Sequence, residues 1–226
     1  MCGRYVLFIS LKDLARIFRV TQLSFEFSAS YNIAPTQTVP IVTGGAERSL
    51  VPARWGFVPS WAEDMSIGQR MINARSETVA EKPAFRKAFH SHRCIVPANG
   101  FYEWKQVGRS KQPVYIHLRS DRVMAMAGIF NTWTSPDGVR LVTFAVITTP
   151  SNDLVKPIHN RMPAILHEGD YEMWLDPGTS AEKHLAGLLQ SLPSDELDAY
   201  EVSTRVNIPA NDSSDNIQPL QTGLGL

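Results

Sequence analysis

Hydrophobic residues are distributed mainly in short runs, often with polar residues alternating, which is the pattern of β-strands. The strongest of these runs cover residues 4–9, 93–98, 114–118, 123–130 and 141–148. Strands outnumber helices and do not alternate with them regularly, as they would in a doubly wound parallel sheet. The pattern therefore predicts an α+β fold with a largely antiparallel, curved or barrel-like sheet and a few peripheral helices.

Apolar residues at helical spacing predict one clear helix near the N-terminus. Leu11, Leu14, Ala15 and Phe18 would share one face, and Ser10 has the N-cap position with an acidic residue three residues later. Further helices are predicted at residues 83–90, 153–156, 168–175 and 179–192.

Two glycine-containing turns predict β-hairpins. Gly44-Gly45 separates the apolar runs at 39–43 and 49–52. Asn99-Gly100 separates the runs at 93–98 and 101–105, and Asn-Gly is among the dipeptides most favoured in type I′ hairpin turns. We therefore expect each pair of runs to form neighbouring antiparallel strands.

The chain length of 226 residues fits a single domain, which we place at 1–210, followed by a loosely packed C-terminal tail at 211–226. Hydrophobic residues make up 43% of the chain and charged residues 19%, an ordinary globular composition. No apolar run reaches the roughly 18 residues of a membrane span, and Arg4, Lys12 and Arg16 interrupt any signal-peptide pattern. We expect a cytoplasmic, soluble monomer with no membrane partner.

The two cysteines, Cys2 and Cys94, are too few for a disulfide framework and form no metal-binding CxxC pair. Cys94 lies in an apolar run and is expected to be a small buried residue. The six histidines show no zinc-site spacing with cysteines or carboxylates. The sequence therefore predicts neither a metal nor another cofactor.

Charge is unevenly distributed along the chain although the formal net charge is zero. Residues 66–119 contain ten lysines and arginines against three acids, whereas residues 168–226 contain eleven acids against two bases. The basic segment indicates an anionic partner. The alternative is that these charges are scattered over solvated faces.

The first two residues, Met1-Cys2, point to covalent chemistry. Removal of Met1 would leave a free amine and a thiol on the same residue. The amine, with a pKa near about 8, can condense with an aldehyde to give a Schiff base. The thiol, with a pKa of about 8.5 and so accessible as thiolate, can then close a five-membered thiazolidine. A Met-Cys start alone is weak evidence, and most such starts are incidental.

The rest of the chain supports this interpretation through an ordered set of motifs that follows Cys2-Gly3-Arg4. These motifs are YNIAPT at 31–36, WGFVPSW at 55–61, NARSE at 73–77, GFYEW at 100–104, HNRMP at 159–163 and a closing VSTRVN at 202–207. Together they closely resemble the SOS-response-associated peptidase family, the SRAP domain, over residues 2–209.

The resemblance implies a thiol autopeptidase that removes its own Met1 and a DNA-damage protein that crosslinks covalently to abasic sites in single-stranded DNA. Cys2 would be the nucleophile. Asn73 would orient the Cys2 amine and the opened sugar, Glu103 would be the general acid and base, and His159 would hold or protonate the sugar oxygens. Such a protein would associate with the nucleoid when bound to DNA.

DNA-binding residues are predicted beside these motifs. Arg4, Arg75 and Arg161 suit bidentate contacts to phosphates, and Trp61 is expected in a loop as a wedge against the bases. The alternative for the arginines is ion pairing with acids such as Glu77.

Each predicted catalytic residue also has a structural alternative. Glu103 is either an acid with a raised pKa or a surface charge on an edge strand, Asn73 is either catalytic or a turn cap, and His159 is either catalytic or a structural histidine. Two other functions stay open: a cysteine peptidase acting on other proteins, and a non-covalent binder of single-stranded or modified DNA.

Overall fold

The computed structural model describes residues 2–22, 25–44, 47–179 and 181–220. These residues form thirteen strands and four α-helices. The strands are β1 (Tyr5–Leu7), β2 (Val20–Gln22), β3 (Ser30–Ile33), β4 (Thr38–Thr43), β5 (Arg48–Trp55), β6 (Asn73–Arg75), β7 (Arg93–Ala98), β8 (Gly100–Val107), β9 (Ser110–Leu118), β10 (Met124–Thr134), β11 (Arg140–Pro150), β12 (Arg161–Pro163) and β13 (Leu197–Glu201). The helices are α1 (Leu11–Phe18), α2 (Arg86–Ser91), α3 (Tyr171–Leu175) and α4 (Glu182–Gly187).

A closed barrel of five strands forms the centre of the molecule. Strands β11, β10, β7, β4 and β5 are antiparallel neighbours in that order, and a parallel pairing of β11 with β5 closes the circle. Trp55 and Phe144 stack with ring centroids 6.3 Å apart among the buried side chains. The predicted α+β fold with a barrel-like, largely antiparallel sheet is confirmed.

A second sheet packs beside the barrel, with the strand order β13-β9-β8-β1-β3 and every pair antiparallel. Gly108, with a φ of 58°, forms the turn between β8 and β9. Tyr5 and Phe101 from this sheet belong to the same buried cluster as the barrel residues. The core therefore fills both the barrel and the space between barrel and sheet.

The hairpin predicted at Asn99-Gly100 is wrong. The preceding strand, β7, pairs with β10 and β4, whereas β8 pairs with β1 and β9, so the chain crosses here from the barrel to the second sheet. Asn99 is held by β1 instead: its N–H donates to Val6 O at 2.7 Å and its Oδ1 accepts from Phe8 N at 2.9 Å. Gly100 lacks the positive φ of a type I′ turn, and a Cβ there would lie 2.5 Å from the Tyr115 ring.

The other hairpin is confirmed, because β4 and β5 pair in an antiparallel ladder that ends at Thr43 and Ser49. Gly44 has a φ of 90°, which glycine adopts without strain, and Gly45 lies outside the described residues. Helix α1 is also confirmed. Its N-cap residue Ser10 accepts a hydrogen bond at Oγ from Asp13 N at 3.1 Å.

The remaining helix predictions differ in their success. Helices are confirmed at α2 and α3. Residues 153–156 instead form turns, in which Asn152 Oδ1 accepts a hydrogen bond from Val155 N and Asn152 O accepts one from Lys156 N. Pro157 disfavours a longer helix at this position. Helix α4 is shorter than the predicted 179–192, because Gly187 disfavours helix continuation; Ser180 lies outside the described residues. Within the described chain, no helix is long and apolar enough to cross a bilayer.

Residues 211–220 are attached more firmly than the predicted loose tail. Asn216 is almost fully buried, and Asp212 Oδ1 accepts from Tyr31 N at 2.5 Å. Leu220 N donates to Glu201 O at 2.9 Å. These polar contacts fix the segment against β3 and β13 without needing an apolar run, so hydrophobic patterning did not reveal them. Residues 221–226 lie outside the described part of the chain.

Candidate active site at the N-terminal cysteine

Cys2 is fully buried where the second sheet meets the barrel. Asn73 reaches it from β6, a short strand that runs parallel to β11. Its Nδ2 donates a hydrogen bond to the carbonyl oxygen of Cys2 at 2.8 Å. The structure thus brings Asn73 to Cys2, as predicted, although the contact is with the carbonyl oxygen rather than the nitrogen.

Glu103 lies on β8, which is flanked by β1 and β9 and is therefore not an edge strand. Its side chain is 3% exposed. Burial raises the pKa of this carboxyl group, while the charge of a protonated His159 acts in the opposite direction. The interpretation of Glu103 as a buried acid with a raised pKa is confirmed, whereas its catalytic role stays a prediction.

His159 approaches Glu103 from the turn before β12, with Nδ1 at 3.9 Å from Glu103 Oε1. The backbone N–H of Arg161 donates to the same Nδ1 at 3.0 Å. Nδ1 also lies 3.3 Å from Arg161 O. It can accept the hydrogen bond from Arg161 N only in the tautomer that has its proton on Nε2, and in that tautomer Nε2 is a hydrogen-bond donor.

A cavity of about 450 Å³ opens at this carboxylate. Its lining residues are Glu103, Trp104, Lys111, His159 and Asn207. The Trp104 indole donates to Asn207 Oδ1 at 2.8 Å, which fixes the ring at the cavity wall. Lys111 and Asn207 were not predicted as site residues, although Asn207 ends the last motif. A larger cavity, of about 790 Å³ between α1 and residues 121–123, contains no predicted site residue, and we place the chemistry at the smaller one.

The protonation state of the Cys2 thiol differs from the one expected from the sequence. Burial raises its pKa strongly, and the negative charge of Glu103 raises it further. The thiol is therefore protonated at neutral pH rather than accessible as thiolate. Within the described residues, no group of three or more histidine, cysteine, aspartate or glutamate side chains is arranged to hold a metal ion.

Arg4 is held inside the protein by polar contacts. Its Nη1 donates to Asn32 Oδ1 and to Val206 O, each at 2.7 Å, and its guanidinium lies 5.9 Å from the Trp104 ring centroid. Asn32 is itself fully buried, and its Nδ2 donates to Val206 O at 3.2 Å and Ile208 O at 3.0 Å. Asn32 therefore connects Arg4 to the C-terminal segment, a role that only the motif at 31–36 could have signalled.

The other predicted DNA-binding residues differ in their accessibility. Arg161 forms a two-pronged ion pair with Glu77, including Nη2 to Oε2 at 2.9 Å, and also donates to Thr148 O. This is the ion-pairing alternative considered above. Arg75, at the end of β6, is exposed. Trp61 is 65% exposed in the loop between β5 and β6, and a loop position is what was predicted for a wedge against the bases.

Comparisons with known proteins agree on one family. The model of the family described as SOS response associated peptidase (SRAP) matches residues 1–209. The abasic site processing protein YoqW of Bacillus subtilis is 43% identical over 222 residues, covering 96% of this chain and 99% of the relative. The abasic site processing protein HMCES of Gallus gallus is 34% identical over 232 residues, covering 88% of this chain and 68% of the relative.

A solved structure shares the fold of this chain. A protein of Bacteroides thetaiotaomicron superposes with a TM-score of 0.88 at 28% identity, over 96% of this chain and 99% of that protein. The family match extends from the Cys2 segment to the residues that hold Arg4. The chain belongs to the SOS response associated peptidase family.

Proposed function

We propose that this protein senses abasic sites in single-stranded DNA and crosslinks to them through Cys2 after removing its own Met1. The observation that carries the proposal is a chain of contacts between residues far apart in the sequence. Asn73 is hydrogen-bonded to the carbonyl oxygen of Cys2, the charge of Glu103 acts on the Cys2 thiol, and Glu103 lies 3.9 Å from His159 in the lining of one cavity. Relatives named abasic site processing proteins support the choice of substrate.

The first step is hydrolysis of the Met1–Cys2 peptide bond. Until this bond breaks, the nitrogen of Cys2 is an amide nitrogen and cannot attack an aldehyde. Water adds to the Met1 carbonyl carbon, the C–N bond breaks, and the departing nitrogen receives a proton. Glu103 is suited to carry that proton, because a carboxyl group with a raised pKa exchanges protons nearer to neutral pH.

The second step joins the freed amine to the aldehyde of the opened abasic sugar. Nitrogen attacks the aldehyde carbon to give a carbinolamine, and protonation of its hydroxyl group by Glu103 lets water leave as the imine forms. Asn73 Oδ1, a buried acceptor without a hydrogen-bond partner, can accept an N–H of the free amine. The Nε2 proton of His159 can be donated to a sugar oxygen.

The third step closes the ring. The Cys2 sulfur bonds to the imine carbon, the thiol proton passes to Glu103, and the imine nitrogen becomes a secondary amine when it receives a proton. One water is lost overall and no oxidant is needed. Because burial keeps the thiol protonated, the order of amine first and thiol second agrees with the electrostatics of the site.

We infer that DNA is held near the cavity by exposed cationic and aromatic side chains. Arg75 and Lys111 are exposed cations that can contact phosphates, and the exposed ring of Trp61 can stack on bases. Unpaired strands make bases available for such stacking, which supports a single-stranded substrate. We further propose that the protein acts as a cytoplasmic monomer that joins the nucleoid when it binds DNA.

The test is intact-mass spectrometry of the purified protein before and after incubation with a single-stranded oligonucleotide that carries one abasic site. We expect a mass lacking Met1, followed by a denaturation-resistant adduct equal to protein plus oligonucleotide minus one water. Controls are the Cys2→Ala variant and an oligonucleotide whose abasic analogue has no aldehyde, and neither should form the adduct.

Other outcomes favour the two alternatives. A mature Cys2 that forms no adduct but cleaves an unstructured peptide would support a peptidase acting on other proteins. Non-covalent binding that is equal in the wild-type and Cys2→Ala proteins, without any adduct, would support a simple DNA binder.

A further inference from the structure

A pocket of about 310 Å³ lies beside the exposed ring of Trp61. It shares no lining residue with the cavity at Glu103. Its lining includes three charged side chains, those of Glu63, Asp64 and Arg70. The proposed function uses only the Trp61 ring, so the charged groups of this pocket have no assigned role.

The backbone around the pocket is held by hydrogen bonds. Trp133 Nε1 donates to Ala62 O at 2.7 Å, next to Trp61 in the chain. The two carboxylate oxygens of Asp64 both accept from Ser66, one from its N–H and one from its hydroxyl group, each at 2.8 Å. The Asp64 carboxylate is therefore already used within the protein. A pocket whose backbone is fixed in advance loses less entropy when a ligand enters.

Glu63 and Arg70 are the charged groups of the pocket that stay available to a ligand. Both are exposed, and neither side chain has a hydrogen bond or an ion pair with any residue that the structure describes. Together with Asp64, they give the pocket two negative charges against one positive charge. A phosphate would meet net repulsion there, whereas an uncharged base would not. The pocket therefore suits a nucleobase rather than the DNA backbone.

The polar groups of the pocket match guanine better than the other bases. The Trp61 ring can stack on any base. The Arg70 guanidinium can donate to O6 and N7 of guanine, the commonest specific base contact of arginine. The Glu63 carboxylate can accept from the N1–H and N2–H groups, which an unpaired strand leaves open. No other DNA base offers two acceptors to a guanidinium and two donors to a carboxylate at once.

The pocket also lies close to the reactive cysteine. Arg70 precedes Asn73 by three residues, so their Cα atoms are at most about 11 Å apart. Asn73 is hydrogen-bonded to the carbonyl oxygen of Cys2. Because neighbouring bases of a DNA strand are about 3.4 Å apart, this reach corresponds to roughly one to three nucleotides.

We propose that this pocket is a guanine subsite, in which Trp61 stacks on the base while Arg70 and Glu63 bind its two polar edges. The guanine would lie roughly one to three nucleotides from the abasic sugar. This inference rests on the proposed function and deepens it, because it gives the protein a sequence preference beside the lesion.

Non-covalent binding by the Cys2→Ala variant tests the subsite without the crosslinking chemistry. The probes are single-stranded thymine oligonucleotides with one abasic site and either one guanine or one adenine at each of the three positions on either side. Fluorescence anisotropy should show about tenfold tighter binding of guanine than of adenine at one or more positions on one side. Wild-type protein below saturation should form the adduct faster with the same oligonucleotides.

Two further substitutions in the Cys2→Ala protein identify the groups that read the base. Arg70→Ala should bring the ratio of guanine to adenine affinity close to one. Glu63→Gln should do the same and raise the relative affinity for adenine, with which glutamine forms two hydrogen bonds. The matched control is Glu81→Gln, which removes an exposed carboxylate outside the pocket and should leave the ratio unchanged. Circular dichroism checks the fold of each variant.

Three results would overturn the inference. The first is equal affinity for guanine and adenine at every position, and the second is a guanine preference that survives both Arg70→Ala and Glu63→Gln. The third is equal weakening of all oligonucleotides by Arg70→Ala with a salt slope lowered by about 0.7, because that marks a phosphate contact.

Failure of the proposed function gives a different result. A wild-type protein that never crosslinks abasic DNA, while its Cys2→Ala variant prefers guanine, would refute the crosslinking alone. Crosslinking at equal rates beside every flanking base would refute the subsite alone.

Discussion

At the scale of single residues, Glu103 is the clearest case of an environment that changes the chemistry of a side chain. A carboxyl group on an exposed edge strand would be ionised and inert. On the central strand β8, the same group is buried, has a raised pKa and lies 3.9 Å from His159. The raised pKa brings the proton exchange of this group closer to neutral pH, which suits a general acid and base.

The Glu103→Gln variant tests this role, because glutamine keeps the shape and removes the transferable proton. We expect the rate of adduct formation or of its reversal to fall by about 10²- to 10⁴-fold, with the circular dichroism spectrum preserved and the melting temperature no lower than that of wild type. Rates come from quenched time courses on denaturing gels. A Glu103→Gln protein that does not fold would show instead that the carboxyl group is structural.

The Glu103→Gln substitution should also change how the free energy of unfolding depends on pH. Since the folded state raises the pKa of Glu103 above its ordinary value of 4.5, the folded protein binds the proton more tightly than the unfolded chain. The contribution of Glu103 to the free energy of unfolding is therefore fully present below pH 4.5. It declines as the pH rises through the higher pKa that Glu103 has in the folded state. Glu103→Gln should gain stability relative to wild type over that range in urea titrations. An unchanged difference at all pH values would contradict the raised pKa.

The sequence predicted Cys2, Asn73, Glu103 and His159 because each belongs to a recognisable motif. It could not predict the protonated thiol, since desolvation depends on what packs around Cys2.

At the scale of elements, local patterns identified most strands but not always their partners. Helix α1 was predictable from its cap and its apolar face, because both signals lie within ten residues. The Asn99-Gly100 dipeptide wrongly suggested a hairpin, because Gly100 makes room for the distant Tyr115 ring rather than forming a turn. The parallel pairing of β5 with β11, which closes the barrel, joins segments about ninety positions apart and has no local signature.

Gly100→Ala tests the close approach at the start of β8. The new Cβ would lie 2.5 Å from the Tyr115 ring, and this ring is itself buried. We expect a loss of about 1–3 kcal/mol in unfolding free energy, measured by urea denaturation, together with slower adduct formation as β8 shifts. Gly169→Ala, where a Cβ meets nothing within 4 Å, is the control and should change neither.

At the scale of the whole molecule, the proposed function requires that charge captures DNA before any covalent bond forms. Non-covalent binding of single-stranded DNA by the Cys2→Ala variant should weaken with salt, because phosphate contacts release counterions. Arg75→Ala should reduce the slope of log affinity against log salt by about 0.7, the value of one single-strand phosphate contact. Fluorescence anisotropy measures both.

The control for this experiment is Arg16→Ala. Arg16 is also an exposed arginine; it lies on α1 beside the larger cavity, with Asp13 as its ion-pair partner. It should leave the slope unchanged. Salt-insensitive binding by the Cys2→Ala protein would remove the basis for phosphate contacts by arginine.

The contact of Arg4 with Val206 joins residues 202 positions apart, so the site can be completed only late in the synthesis of the chain. Ribosomes add about 5–20 residues per second, so Cys2 is made roughly 10–40 seconds before the carbonyl group that holds its neighbour Arg4. Through that interval the nucleophile exists without its surroundings. In the proposed function, hydrolysis of the Met1–Cys2 bond needs the assembled site. The Cys2 nitrogen therefore stays an amide, unable to attack cellular aldehydes, until residues made late in synthesis complete the site around it.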